Sequence, residues 1–239
     1  MMLFILIISV VGFAFCNVFA KNFLQKVLAV VLGIVFLASL TLITLNVTNH
    51  FGMETVTTVK SQALVSSATS KDFNVLLYQP LGNGKEKVYL YRTNEEQKKP
   101  IVSKTDKTSF TIKQSNNNDA KVIIKKYEWV YKNDFYKLLF GIADNNHEYI
   151  KQHYRFEIPN SWPVLSVNQA KAFAKLMKEN NDKIKADAQT FIKEQVMKAM
   201  KQNPMLDEAS KQKLIEQAQK QYQAKVMQQY LQQVKKEVK

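Results

Sequence analysis

The stretch KNFLQK, residues 21–26, separates two runs with no charged side chain, Met1 to Ala20 and Val27 to Val47. At about 1.5 Å rise per residue, either run as a helix crosses the roughly 30 Å hydrocarbon core of a bilayer. Lipid offers the backbone no hydrogen-bond partners, so helices satisfy it internally, and a short link makes two of them antiparallel neighbours. The predicted chain therefore opens with a transmembrane hairpin over 1–49, with spans 1–20 and 27–47 around the link. The lipid bilayer is its first expected partner.

Small residues recur every four positions at Gly12, Cys16 and Ala20, and again at Ala29 and Gly33. Membrane helices associate through close backbone approach, so Gly12, Cys16, Ala29 and Gly33 are the predicted packing positions. Val18-Phe19-Ala20 has the small residues of a signal-peptide cleavage site. The basic start of such a peptide is missing and a second apolar run follows, so retention as a span is expected.

Lys21 and Lys26 are the predicted topology determinants, because past the second span the first charged side chain is Glu54 and the first lysine is Lys60. Lysines beside spans favour the cytoplasmic side, and carrying each across costs about 2.3 kcal/mol per 100 mV. The expectation is a protein of the bacterial cell membrane with a cytoplasmic link and with both the N-terminus and the C-terminal domain outside.

The formal charge is +14, and Arg92 and Arg155 are the only arginines. Lysine acts as a mobile point charge, while bidentate base reading relies on the arginine fork. Diffuse attraction to an anionic envelope polymer is expected, and specific nucleic-acid recognition is not. The one cysteine, Cys16, lies in the first run, so no disulfide can staple the remainder, a usage that suits a bacterial envelope.

Residues 50–165 read as an antiparallel, β-rich extracytoplasmic domain. "METVTTVKSQALVSSATS" (53–70) is a stalk turning into a strand. Phe73 to Gln79 and Lys87 to Thr93 alternate with period two around Gly82-Asn83-Gly84, which predicts a hairpin. "TSFTIKQS" (108–115) and "KVIIKKYEWVYK" (121–132) predict a second one across "NNNDA", and "HEYIKQHYRFEIP" (147–159) a further strand. Between them, "NDFYKLLFGIADNN" (133–146) predicts a short helix capped by Asn133 or Asp134. Trp129, Tyr131, Phe135, Tyr136, Leu139 and Phe140 form a candidate interaction patch. Two readings stand: core residues covering a sheet, or a patch that dips into the membrane interface or a partner's groove.

"KVYLYRT" (87–93), "YEWVYKNDFYKLLFG" (127–141), "NNHEYIKQ" (145–152) and "WPVLSVNQAKAF" (162–173), in that order behind a two-span start, resemble a family of uncharacterised membrane proteins of lactic acid bacteria, a domain of unknown function. The resemblance covers roughly the first 175 residues. It implies a bacterial envelope protein and brings no catalytic residues.

Residues 166–239 predict a long amphipathic helical hairpin. Ser166 and Gln169 make a capping-box pattern, and Phe173, Met177, Ile184, Ala188, Ile192, Val196 and Met200 lie along one face of a helix reaching about Gln202. Asn203-Pro204 breaks it and starts a second helix, helped by Asp207 and Glu208, with Ile215, Ala218, Tyr222, Val226, Tyr230, Val234 and Val238 as its stripe. Such thin stripes need a surface. Each other, the sheet, self-association, a protein partner and anionic lipid are the alternatives.

Candidate chemistry is sparse. "HEYIKQH" lacks the spacing of a zinc helix. Asp144, Asn146 and Glu148 alternate like a calcium loop, but Tyr149 stands where its glycine belongs. No catalytic, cofactor or metal residue is therefore expected. The α+β chain reads as a non-catalytic binding or scaffold protein of the envelope, contacting a protein partner or anionic polymer through its basic helices. The alternative is an enzyme of cell-wall or lipid metabolism that assembles a pair from Asp134, Asp144 and Glu148 in the fold.

Overall fold

The computed structural model describes residues 1–19, 21–68, 73–82, 86–202 and 207–238. The chain is α+β, with two apolar N-terminal helices and two four-stranded sheets, and it divides into two units, 1–63 with 104–159 and 64–103 with 160–239.

The first unit begins with α1 (Met2–Phe19) and α2 (Phe23–Asn49). Both are apolar and long enough to cross a membrane, at about 27 Å and about 40 Å. The Gln25 carboxamide accepts from the backbone N–H of Lys21 at 2.7 Å and of Asn22 at 3.2 Å. Those bonds start α2 at Phe23, so the predicted six-residue link is shorter: Lys26 belongs to the first turn of α2. Lys26 is exposed there.

Small residues mark where the two helices meet. A Cβ on Gly12 would lie 3.0 Å from Leu32 Cδ1, and one on Gly33 would lie 3.4 Å from the Phe13 ring. Ala29 is buried and Cys16 half-buried, while Ala20 lies outside the described residues. Ser9, Thr41, Thr44 and Thr48 donate their hydroxyls to carbonyls three or four residues back, so these four hydroxyls are satisfied within their own helix. Large apolar side chains such as Phe4, Ile8, Phe15, Val18, Ile34 and Leu37 stay exposed, the surface that lipid would cover.

Strands β1 (Met53–Ala63), β5 (Thr108–Ser115), β6 (Lys121–Tyr131) and β7 (Glu148–Pro159) form one sheet in the order β1-β6-β7-β5. The predicted pairing of 108–115 with 121–132 does not occur: β7 lies between them, antiparallel to β6 and parallel to β5. β7 offers alternate buried side chains, Gln152, Tyr154, Phe156 and Ile158, that need a neighbour on each side. The short helix α3 (Asp134–Phe140) follows β6. Its cap is Asn133, whose side chain accepts from Tyr136 N.

In the second unit β2 (Leu76–Leu81), β3 (Glu86–Tyr91), β4 (Ile101–Val102) and β8 (Val164–Ser166) form a sheet in the order β4-β3-β2-β8. The β2–β3 hairpin is as predicted, with Gly82 at φ +50°; Asn83 and Gly84 lie outside the described residues. β8 joins β2 in parallel. Both sheets are therefore mixed, which corrects the antiparallel expectation. In each, the parallel partner returns only after a long excursion that alternation along a strand does not encode.

Ser166 and Gln169 close a capping box on α4 (Val167–Glu179). The helix predicted to run unbroken to Gln202 is divided at Asn180, whose carboxamide donates to Leu176 O at 2.9 Å beside its own backbone N–H, a competition that disfavours helix continuation. After α5 (Asn181–Gln202), α6 (Glu208–Glu237) starts with Asp207 as cap, accepting from Ser210 N. The predicted start at Asn203-Pro204 lies outside the described residues. α5 and α6 pack as a hairpin, with the Phe191 and Tyr222 rings 5.6 Å apart. The far end of α6 joins the unit's core: Val234 is fully buried with Phe73, Val75, Leu165 and Phe173, and Gln169 donates to Val238 O at 2.9 Å.

Candidate membrane-surface junction

α2 is longer than a bilayer core requires, and its last turns carry the polar Asn46, only 1% exposed. An unpaired carboxamide there costs free energy, and the fold supplies partners. Asn46 Nδ2 donates to Phe51 O at 2.8 Å, and Asn46 Oδ1 accepts from Asn145 Nδ2 at 3.1 Å. The Tyr131 hydroxyl donates to Asn145 Oδ1, and Tyr131 N donates to Asn146 Oδ1 at 3.2 Å. One chain of bonds thus joins α2, the end of β6 and the loop before β7. Burial, and then the negative charge of Asp144, pushes the Tyr131 phenol above its ordinary value of 10.0, which keeps it a donor.

The turn from α2 into β1 is equally constrained. His50 ends the helix in the left-handed region at φ 55°, its ring stacks on Trp129 with centroids 4.4 Å apart, and Nε2 lies 3.2 Å from Glu148 Oε2. Gly52 has φ +80°, and a Cβ there would lie 2.4 Å from the Tyr136 ring, so glycine is required both for the turn and for the ring that crosses it. Met53 N donates to His50 O, and Lys132 N to Gly52 O.

These contacts sort the six residues of the predicted patch. Tyr131 and Phe140 are buried with Met2 and Met53, and Trp129, Tyr136 and Leu139 pack half-buried around them with Leu42 and Ile43. Phe135 points outward, 61% exposed, and shares its helical face with Leu138 and, one turn later, Ile142. This apolar stripe adjoins α1, because the Met1 amine donates to Leu138 O and Leu139 O. Phe51 meets Tyr136 and Phe140 edge-on at 5.9 and 6.3 Å. Lys21 lies at the opposite end of α2, with Lys26 in its first turn.

Of the three carboxylates considered for chemistry, Asp144 and Glu148 line one hollow of about 400 Å³ together with Val47, Asn145, Asn146 and His147. Asp134 is in the first turn of α3 and not among the lining residues. Among the described residues no group of three or more His, Cys, Asp or Glu side chains is arranged to hold a metal ion. Sequence reasoning passed over Asn46 and Asn145; the readable signal was an asparagine inside an otherwise apolar run, which needs a partner wherever it is buried.

The sequence profile of a family described as Domain of unknown function (DUF4811) matches residues 21–173. No curated protein and no solved structure matches the chain.

Proposed function

We propose that this chain, which belongs to the DUF4811 family, is a two-span protein of the bacterial cell membrane that binds or scaffolds outside the cytoplasm and is not an enzyme. The observation that carries this reading is the junction. α2 passes into β1 through a capped turn, and the Asn46–Asn145–Tyr131 bonds and the Met2, Met53, Tyr131, Phe140 core fasten the hairpin to the sheet. A domain fastened in this way is held at fixed height and orientation, as presenting a surface to a protein partner or an anionic envelope polymer requires. Lys21 and Lys26 at the other end of α2 support the orientation, with the link in the cytoplasm and the termini outside.

Labelling of intact cells with a membrane-impermeant maleimide tests the arrangement. In a Cys16→Ala background, the exposed Glu194→Cys on α5 is expected to react, and Asn22→Cys in the link, which leaves both lysines in place, to react only after permeabilisation. The reverse pattern would overturn the proposal.

A second reading, an enzyme of cell-wall or lipid metabolism, is favoured by the hollow that Asp144 and Glu148 share beside Val47. It requires that purified protein turn over lipid in its own vesicles and that Asp144→Asn abolish the turnover while leaving the protein folded.

A further inference from the structure

From Lys121 to Tyr127, strand register places alternate side chains of four strands on one face of the first sheet. Lys121 lies opposite Glu157, Ile123 opposite Arg155, Lys125 opposite His153 and Tyr127 opposite Lys151. On the far side of β7, Lys113, Thr111 and Ser109 lie opposite the same Glu157, Arg155 and His153. β1 adds Thr57, Val59 and Ser61, all exposed. Lys113, Lys121, Lys125, Lys151 and Arg155 thus share this face with one strand carboxylate, Glu157. That carboxylate is already engaged by Lys121 at 3.2 Å and by Arg155 at 3.1 Å. Asp106 and Asp119 fall in the loops at the ends of the strands. The opposite face takes the apolar residues Val122, Tyr154, Phe156 and Ile158 with Lys60 and Lys126, the latter paired with Glu128 at 2.6 Å, so five of the seven strand cations of this sheet stand on the open face.

The geometry points to a linear phosphate polymer as the ligand of this open face; that the polymer belongs to the envelope rests on the function proposed above. Neighbouring strands are about 4.8 Å apart and alternate residues about 7 Å apart, so the cations form a flat grid three strands wide. A flat grid encloses no small anion. Each exposed lysine contributes little by itself, and affinity accumulates only when one chain touches several of them and releases its counterions. Single-stranded nucleic acid is the disfavoured polyanion, because it needs free aromatic faces for stacking. Tyr127 and His153 are the aromatic rings on the grid; the Lys151 ammonium lies over the Tyr127 ring at 5.0 Å, and His153 is held by Ser109 at 2.8 Å.

The test uses the full chain in nanodiscs of zwitterionic lipid, with fluorescently labelled long-chain inorganic polyphosphate followed by anisotropy across a salt series. Binding that weakens linearly in log salt is expected, and Lys113→Gln, Lys121→Gln and Lys125→Gln together are expected to weaken it at least tenfold and to lower the salt slope by about 2. A matched triple, Lys211→Gln, Lys213→Gln and Lys220→Gln on α6, leaves binding unchanged, with circular dichroism confirming that both variants fold. Equal loss in the two triples, or competition by orthophosphate at equal phosphate concentration, would overturn the assignment. So would tighter binding of oligothymidine than of polyphosphate. Because the measurement is made without a cell, it stands or falls independently of the maleimide result, whose reporter Glu194→Cys lies on α5 and not on this face: polymer binding by a chain whose Glu194→Cys is shielded in intact cells would sink the envelope reading and leave the surface assigned.

Discussion

Asn46 of the second membrane-length helix accepts a hydrogen bond from Asn145 at 3.1 Å, across 99 residues of sequence. That bond lies where an apolar helix gives way to a polar sheet, and both carboxamides are needed to satisfy it. Replacing Asn46 by Leu removes a donor and an acceptor from a buried position and leaves Phe51 O and Asn145 short of partners. The expected loss is about 2 to 3 kcal/mol, read as a fall in apparent melting temperature in a single detergent.

The phenol of Tyr131 links the same network to pH. Its folded value is raised, by burial first and then by Asp144, so the folded chain holds this proton more tightly than the unfolded one. The corresponding stability is fully present below about pH 10 and is lost as pH rises through the folded value. Chemical unfolding measured from about pH 8 to about pH 11 should show an alkaline decline that is shallower in Tyr131→Phe.

Gly52 and Gly82 both have positive φ, but they face different surroundings. A methyl group at Gly52 meets the Tyr136 ring at 2.4 Å, whereas nothing lies within 4 Å of one at Gly82. Gly52→Ala is expected to cost about 3 kcal/mol and Gly82→Ala about 1 kcal/mol. Equal effects in thermal melts would show that backbone strain alone, without the ring, governs the turn.

Phe135 and Phe140 lie on one short helix with opposite fates, 61% and 3% exposed. Phe140→Ala is expected to destabilise by about 3 to 5 kcal/mol, while Phe135→Ser leaves folding intact. If the two apolar helices cross a bilayer as proposed, the outward stripe beside them should lie in the lipid interface. Tryptophan introduced at Phe135 or Leu138 is then quenched by brominated lipid, and tryptophan introduced at Ser109 is not.

Val234 lies outside the residues matched by the family, yet it is fully buried against Phe173, Leu165 and Phe73. Val234→Asp should therefore unfold the second unit, and Val234→Ala should cost about 2 kcal/mol, measured by protection of the β2 and β3 amides from hydrogen exchange. Unchanged protection in the aspartate variant would mean that α6 is dispensable to this core.

Much of this architecture is written in local pattern. Two charge-free runs, the period-two alternation of Lys87 to Thr93, the Ser166–Gln169 box and the Asn133 cap each involve residues within a few positions of one another. Their physics is settled before the chain is compact. The stripe of Tyr222, Val226 and Val234 was legible for the same reason. The candidate site was half-legible: its aromatic residues stood out, but not which of them turn inward.

The sequence by itself determined the membrane-length hairpin, the Asn133 and Ser166 caps, the stripe of α6 and most of the strands, because hydrophobic period and capping chemistry act over one or two turns. Only the tertiary structure decided that β7 separates β5 from β6, that α6 returns to bury Val234, and that Tyr131 and Phe140 turn inward while Phe135 turns out. Those outcomes depend on which buried face finds a partner far along the chain. Side-chain alternation carries no information about which strand lies next to which, and the pairing settles where burial and hydrogen bonding are satisfied together.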